Sequence, residues 1–250
     1  METTSTLAMV SAFIGFQGSS PLEYVAWSVA DVQALQAPFY PCRYWPAIKD
    51  KDDETFNNGA KVLREMLDTN AVPATLLAKA NCVIVLPNVK KFGFGIGGSG
   101  GRGPMSCRRK ITGEWSAPAM LRISGVSAGL QVGGSSTDYV LLVMSENGVN
   151  AILKGKTKLG NEATAAAGPS GATTSSSINA DVLTYGRAKG LFAGMSLGGA
   201  TLESDDDANK RVYGKAVTAR NIVVEGTVQT QTGGQPLVAL LDTKAAKQTN

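Results

Sequence analysis

Glycine sets the first limit on this chain. From Gly93 to about residue 220 it recurs every few positions between short apolar or β-branched runs, and there are 29 glycines in 250 residues. Glycine weakens helix interiors and serves tight turns, bulges and close backbone approaches. The pattern predicts strands near 92–98, 103–109, 117–124, 126–132, 137–144, 161–167, 178–186 and 191–202. Tyr139 to Met144 is continuously apolar and reads as a central strand. Many short strands at this spacing imply a curled antiparallel sheet or a barrel.

Ahead of the glycine-rich part the period changes. Phe56, Ala60, Val62, Leu63 and Leu67 recur at helical spacing and predict a helix over 53–68, with Asp53 and Glu54 at its positive end. Pro73 opens a second short helix, Ala74 to Ala80. Cys82 to Leu86 follows as a buried strand ended by Pro87. Glu146 to Lys154 and Asp205 to Tyr213 read as short helices between strands. The fold class expected is therefore α+β: N-terminal helices packed on a curled, glycine-rich antiparallel β-sheet or barrel-like core.

Residues 1–52 differ from the rest and are expected to form an extension. They hold eight of the sixteen aromatics but, up to residue 48, only one Lys or Arg, Arg43. Leu7 to Phe16 has the length of a signal h-region without a basic n-region, so it reads as a degraded or wrongly started signal, or as a small hydrophobic anchor. Residues 53–226 are expected to form the domain, and 227–250 a tail whose one apolar run is Pro236 to Leu241.

The chain has no histidine. That removes Ser-His-Asp triads, Cys-His dyads, His-ligated zinc and the usual neutral-pH base. No catalytic residue, metal or cofactor is assigned. Cys82 and Cys107 each lie in a predicted strand, 25 positions apart. If those strands are neighbours, a bridge worth roughly 3 kcal/mol is feasible; the alternative is two buried free thiols.

Two motif matches fail on context. Gly93 to Gly98 fits G-x-G-x-x-G but no helix pattern follows, and Gly97-Gly98-Ser99-Gly100-Gly101 fits a serine elbow with no histidine to serve it. Asp205-Asp206-Asp207 lacks the alternating oxygens and distal Glu of a calcium loop and reads as a helix start.

Charge distribution says more. Net charge is +4, yet between Asn88 and Arg122 seven cations (Lys90, Lys91, Arg102, Arg108, Arg109, Lys110 and Arg122) face one anion, Glu114. If 82–86 and 103–109 are neighbours, these charges gather at loops on one rim beside glycine amides, a cradle for phosphate oxygens. Nucleic acid is disfavoured because no aromatics interleave the cluster.

Several ordered stretches resemble the SYLF-domain family. These are Gly113-Glu114-Trp115-Ser116-Ala117-Pro118-Ala119, Ser136-Thr137-Asp138-Tyr139 through Met144, and Thr164 to Pro169. Tyr185-Gly186-Arg187-Ala188-Lys189-Gly190-Leu191-Phe192-Ala193-Gly194 and Asp207 to Gly214 continue the series, so the match runs over about 55–226. The flavour is that of bacterial members, which stand alone. The resemblance implies binding of phosphoinositides or other anionic phospholipids at a membrane surface, with links to actin in fungal and animal relatives. It carries a lipid-contact role onto Lys90, Lys91, Arg187 and Lys189, joined by Arg102, Arg108 and Arg109. The alternative is a protein-interaction module with an actin-type or cell-envelope partner, contacted through the acidic start at Asp205 and the aromatic N-terminus. A periplasmic, secreted or peripheral-membrane location is favoured over the cytoplasm.

Overall fold

The computed structural model describes residues 44–94, 96–128, 133–168, 180–188, 191–194, 197 and 199–245. All of them lie in the unit Cys42–Asn250. Most of the predicted N-terminal extension falls outside the described residues.

Helix α1 (Tyr44–Asp68) starts earlier than its apolar period indicates and buries Phe56, Ala60, Leu63 and Met66. It stops where Asn70 turns into the left-handed region at φ 54, so that the Ala71 and Val72 N–H groups return to the Met66 carbonyl. Helix α2 (Ala74–Lys79) follows Pro73 and buries Leu76 and Leu77. Each such side chain taken from water contributes about 2 kcal/mol.

The strands are β1 (Cys82–Phe94), β2 (Ile96–Cys107), β3 (Ala119–Ala128), β4 (Gly133–Val143), β5 (Thr157–Lys158), β6 (Ala165–Ala167), β7 (Val182–Ala188), β8 (Leu191–Gly194) and β9 (Thr201–Ser204). They form one curled sheet in the order β5-β9-β3-β2-β1-β4-β7-β6, with β8 added on β7. Helix α3 (Glu146–Leu153) follows β4, and α4 (Asp206–Tyr213) and α5 (Ala219–Val223) follow β9. The expected α+β class holds. The pairing is not antiparallel throughout, because β6 runs parallel to β7.

Pro87 does not end the first strand. Leu86 pairs with Tyr139 and Val89 with Thr137, so β1 takes one extra residue at Pro87–Asn88 and carries on to Phe94. Asn88 sits at φ 54, donates its N–H to Asp138 Oδ1 at 2.8 Å and accepts from Ser136 Oγ at 2.9 Å. Proline supplies no strand hydrogen bond, and the bulge leaves none to make there.

Both faces of the sheet are covered around Cys82–Leu86. One face, carrying Cys82, Ile84, Leu86, Leu121, Ile123, Tyr139 and Leu141, packs with Ile152, Leu202 and Ile222. The other, carrying Val83, Val85, Val140, Leu142, Leu183 and Tyr185, packs on α1 and α2. The predicted tail contributes here. Gln235–Lys244 is helix α6, and its Leu237, Leu240 and Leu241 are buried in that second cluster. No helix among the described residues is long and apolar enough to cross a membrane.

Candidate anion-binding cleft and the placement of the basic residues

Cys82 and Cys107 are opposed partners in the β1–β2 register and are joined by a disulfide. The chain leaving Cys107 makes a tight excursion over Arg108–Glu114. Arg109 N–H donates to the Glu114 carbonyl at 2.8 Å and Gly113 N–H to the Arg109 carbonyl at 2.9 Å, with Gly113 at φ 77. The excursion holds Ile111 almost wholly in water, at 98% exposure.

The three cations in this loop have different surroundings. Arg108 turns inward: its guanidinium donates to the carbonyls of Gly113 at 3.0 Å and Ala245 at 2.5 Å, and lies 4.6 Å from the Trp115 ring. Burial lowers its pKa, against a raising effect of Asp242. Arg109 has no ion pair among the described residues. Lys110 reaches Glu146 Oε1 at 2.6 Å, with both groups mostly in water. A pair that exposed holds little energy.

Arg109 and Lys110 line a cleft of about 280 Å³. Cys82, Cys107 and Arg108 also line it, and its other wall comes from α3 (Glu146, Val149, Asn150) and α5 (Arg220, Val223, Val224), so one carboxylate, already paired with Lys110, stands among the cations. Thr218 and Asn221 form a reciprocal cap that starts α5 and so fixes the direction of Arg220, whose Nη2 lies 3.4 Å from Asn150 Oδ1. Val224 stands half in water at 50% exposure. A concave wall with cations above exposed aliphatic side chains can hold a phosphate or carboxylate while apolar groups meet a softer phase.

The other predicted cations do not converge on this rim. Lys90 and Lys91 lie eight and nine residues along β1 from Cys82, roughly 26–30 Å at the usual strand rise. Lys90 is exposed, and Lys91 places its ammonium 5.4 Å from the Tyr139 ring centroid. Arg102 pairs with Asp52 at 3.2 Å and Asp205 at 3.6 Å. Arg187 donates to Asp138 from Nε at 2.9 Å and also binds Glu65. Both arginines therefore hold the fold together, α1 to β2 and α1 to β7. Lys189 lies outside the described residues. The single basic rim expected from the sequence is thus divided between opposite ends of the sheet, because β1 runs on through Pro87.

Asp205 is also committed inward. It is buried, caps α4 by accepting from Ala208 N–H at 3.2 Å, and leaves only Asp206 and Asp207 exposed there. Gly93 and Gly97 face each other in the β1–β2 pairing, so these glycines belong to strands and not to a nucleotide-binding loop. Sequence reasoning missed Arg220, which only the packing of α5 brings to the cleft.

A family model described as Ysc84, "Las17-binding protein actin regulator", matches residues 124–244. Protein YSC84 of Saccharomyces cerevisiae is 32% identical over 200 residues, covering 74% of this chain and 42% of its own length. Human SH3 domain-containing YSC84-like protein 1 is 32% identical over 203 residues, covering 76% and 58%.

The chain belongs to the Ysc84, or SYLF-domain, family.

A third Ysc84 relative, LAS seventeen-binding protein 3 of Saccharomyces cerevisiae, is 30% identical over 200 residues, covering 74% of this chain and 43% of its own length. The chain therefore spans about half the length of the curated relatives it matches. The Ysc84 model covers β4 through α6, so the C-terminal helix belongs to the matched region.

Proposed function

We propose that this chain is a non-catalytic module that docks on anionic phospholipid surfaces through the cleft beside the Cys82–Cys107 disulfide. The observation that carries the reading is Ile111, 98% exposed at the tip of the loop that also presents Arg109 and Lys110 to the cleft. Seating that side chain among lipid headgroups removes apolar surface from water, and each neighbouring cation adds roughly 1 kcal/mol at an anionic bilayer. Arg220 and the half-exposed Val224 extend the same surface from α5. Phosphoinositides, with more phosphate per headgroup, suit the cleft as well as phosphatidylserine does. A disulfide in its lining suits an oxidising compartment.

The test is co-sedimentation with vesicles of phosphatidylserine and phosphatidylcholine against phosphatidylcholine alone, at low and high salt. Wild type is expected to pellet only with the anionic vesicles and to be released by salt. Arg109→Glu/Arg220→Glu and Ile111→Asp are each expected to lower the pelleted fraction about tenfold or more. Equal pelleting with neutral vesicles, or none with either, overturns the reading.

A second reading, an actin-type protein-interaction module, is favoured by the description of the matching family as a Las17-binding actin regulator. Co-sedimentation with actin filaments that survives Arg109→Glu/Arg220→Glu, without vesicle binding, selects it over the first.

A further inference from the structure

The far end of β1 carries a second surface of the same chemistry. Phe92 is 67% exposed, and its ring leans on the open Cα of Gly98. Lys90 lies two residues away on the same face and is exposed. The positions opposite them are glycine and serine: Gly100 and Ser136 face Lys90, and Gly98 and Gly134 face Phe92. Among the described residues no anion pairs with the ammonium, and two-thirds of the Phe92 side chain stays in water. Asp138 is the one acidic residue in β1, β2 or β4. It is committed to Arg187 and to the Asn88 N–H. Lys90 and Lys91 have no ion pair among the described residues. Lys91 turns to the Tyr139 face, so Lys90 is the cation beside this unburied aromatic, and the pair matches an anionic bilayer in charge and in apolar character.

The position of this patch relative to the cleft gives it a consequence. Cys82, in the cleft lining, lies on the face that carries Ile84 and Leu86, against α3 and α5. Lys90 and Phe92 lie on the opposite face, because Val89 belongs to the Ile84 face and strand positions alternate. The two surfaces therefore differ in both end and face, and Cys82 and Phe92 are ten residues apart on one strand, roughly 33 Å. One flat membrane cannot meet both.

We infer that the chain bridges two anionic membrane surfaces, one held at the disulfide-lined cleft and the other at the Lys90–Phe92 end of β1. The inference rests on the membrane-docking reading above, and the experiment separates the two. The whole chain is mixed with phosphatidylserine–phosphatidylcholine vesicles, and both pelleting and vesicle clustering, by turbidity and light scattering, are followed. Wild type is expected to cluster these vesicles and not phosphatidylcholine vesicles. Lys90→Glu/Phe92→Ser removes only exposed side chains. It is expected to pellet with the vesicles as wild type does while its clustering falls about tenfold or more, given a roughly fivefold gain per cation at such a surface.

Clustering by that variant equal to wild type overturns the inference. So does a wild type that pellets without clustering, which leaves the docking reading standing. A wild type that does not pellet overturns both. If wild type is dimeric without vesicles and Lys90→Glu/Phe92→Ser is monomeric, the far end of β1 is a self-association surface and direct bridging is overturned.

Discussion

Arg211 grips both oxygens of Asp52, Nε to Oδ2 at 2.8 Å and Nη2 to Oδ1 at 3.2 Å. Asp52 is fully buried on α1 and also meets Arg102 at 3.2 Å, so one carboxylate ties α1 to β2 and to α4. Removing Arg211 leaves the buried carboxylate with Arg102 as its one remaining partner among the described residues. Arg211→Met is predicted to cost about 3 kcal/mol in urea unfolding. Asp52→Asn is predicted to cost less, about 2 kcal/mol, because both arginines keep some contact with water and can rehydrate. Equal stability of Arg211→Met and wild type contradicts the assignment.

Two adjacent arginines are predicted to separate stability from binding. Arg108→Met removes donors to the Gly113 and Ala245 carbonyls and the stacking on Trp115, an expected loss of about 2 kcal/mol. Vesicle pelleting of its folded fraction should not change. Arg109→Glu is expected to shift stability by no more than about 0.5 kcal/mol. Its partition to anionic vesicles should fall about tenfold or more. Thermal unfolding and co-sedimentation on the same samples check both halves.

Gly103 and Gly100 lie three residues apart in β2 and should respond differently to the same change. A Cβ at Gly103 meets the Val85 carbonyl oxygen at 1.9 Å, a backbone atom that cannot step aside. Gly103→Ala is expected to lose more than about 4 kcal/mol, which a soluble-expression and circular-dichroism comparison would register. At Gly100 the nearest atom is the Ile123 oxygen at 3.9 Å, so Gly100→Ala is expected to be neutral or about 0.5 kcal/mol stabilising.

Tyr185 predicts the alkaline limb of stability. Burial pushes its hydroxyl from 10.0 up to about 12, and that hydroxyl has no hydrogen-bond partner among the described residues. The folded protein keeps this proton where the unfolded chain loses it. The contribution is therefore complete below about pH 10 and is lost as pH rises towards 12, by roughly 2–3 kcal/mol. Tyr185→Phe should match wild type at pH 7, or exceed it slightly, and flatten the decline above pH 10. Urea midpoints across that range decide it.

Local signals made much of the fold legible. The apolar period of Phe56, Ala60 and Leu63 located the second half of α1, and the glycine-separated runs located β3, β4 and β7 within a few residues. By contrast, 92–98 falls across the end of β1 and the start of β2, and 191–202 takes in two separate strands, β8 and β9. Pro87 misled, because proline in a strand is compatible with a bulge, and only the pairing with Tyr139 and Thr137 reveals one. Pro236 to Leu241 is too short and too uniformly apolar to show a helical period; its helix is decided by packing on α1. At the cleft, Arg109 and Lys110 were visible as a charge cluster. What separated them from Arg102 and Arg187 was not, since Asp52, Asp138 and Glu65 lie far away in the chain. Local charge counts cannot say which cations are already spoken for.

The extra residue at Pro87–Asn88 changes the parity of β1. Before it, even-numbered side chains point to the Tyr139 face; after it, odd-numbered ones do. Without that insertion Val89 would turn to the opposite face and Lys90 would be driven into the apolar interior, carrying Phe92 with it. A single added peptide unit therefore lets one continuous strand close the protein's interior at one end and offer a charged, aromatic side to the outside at the other.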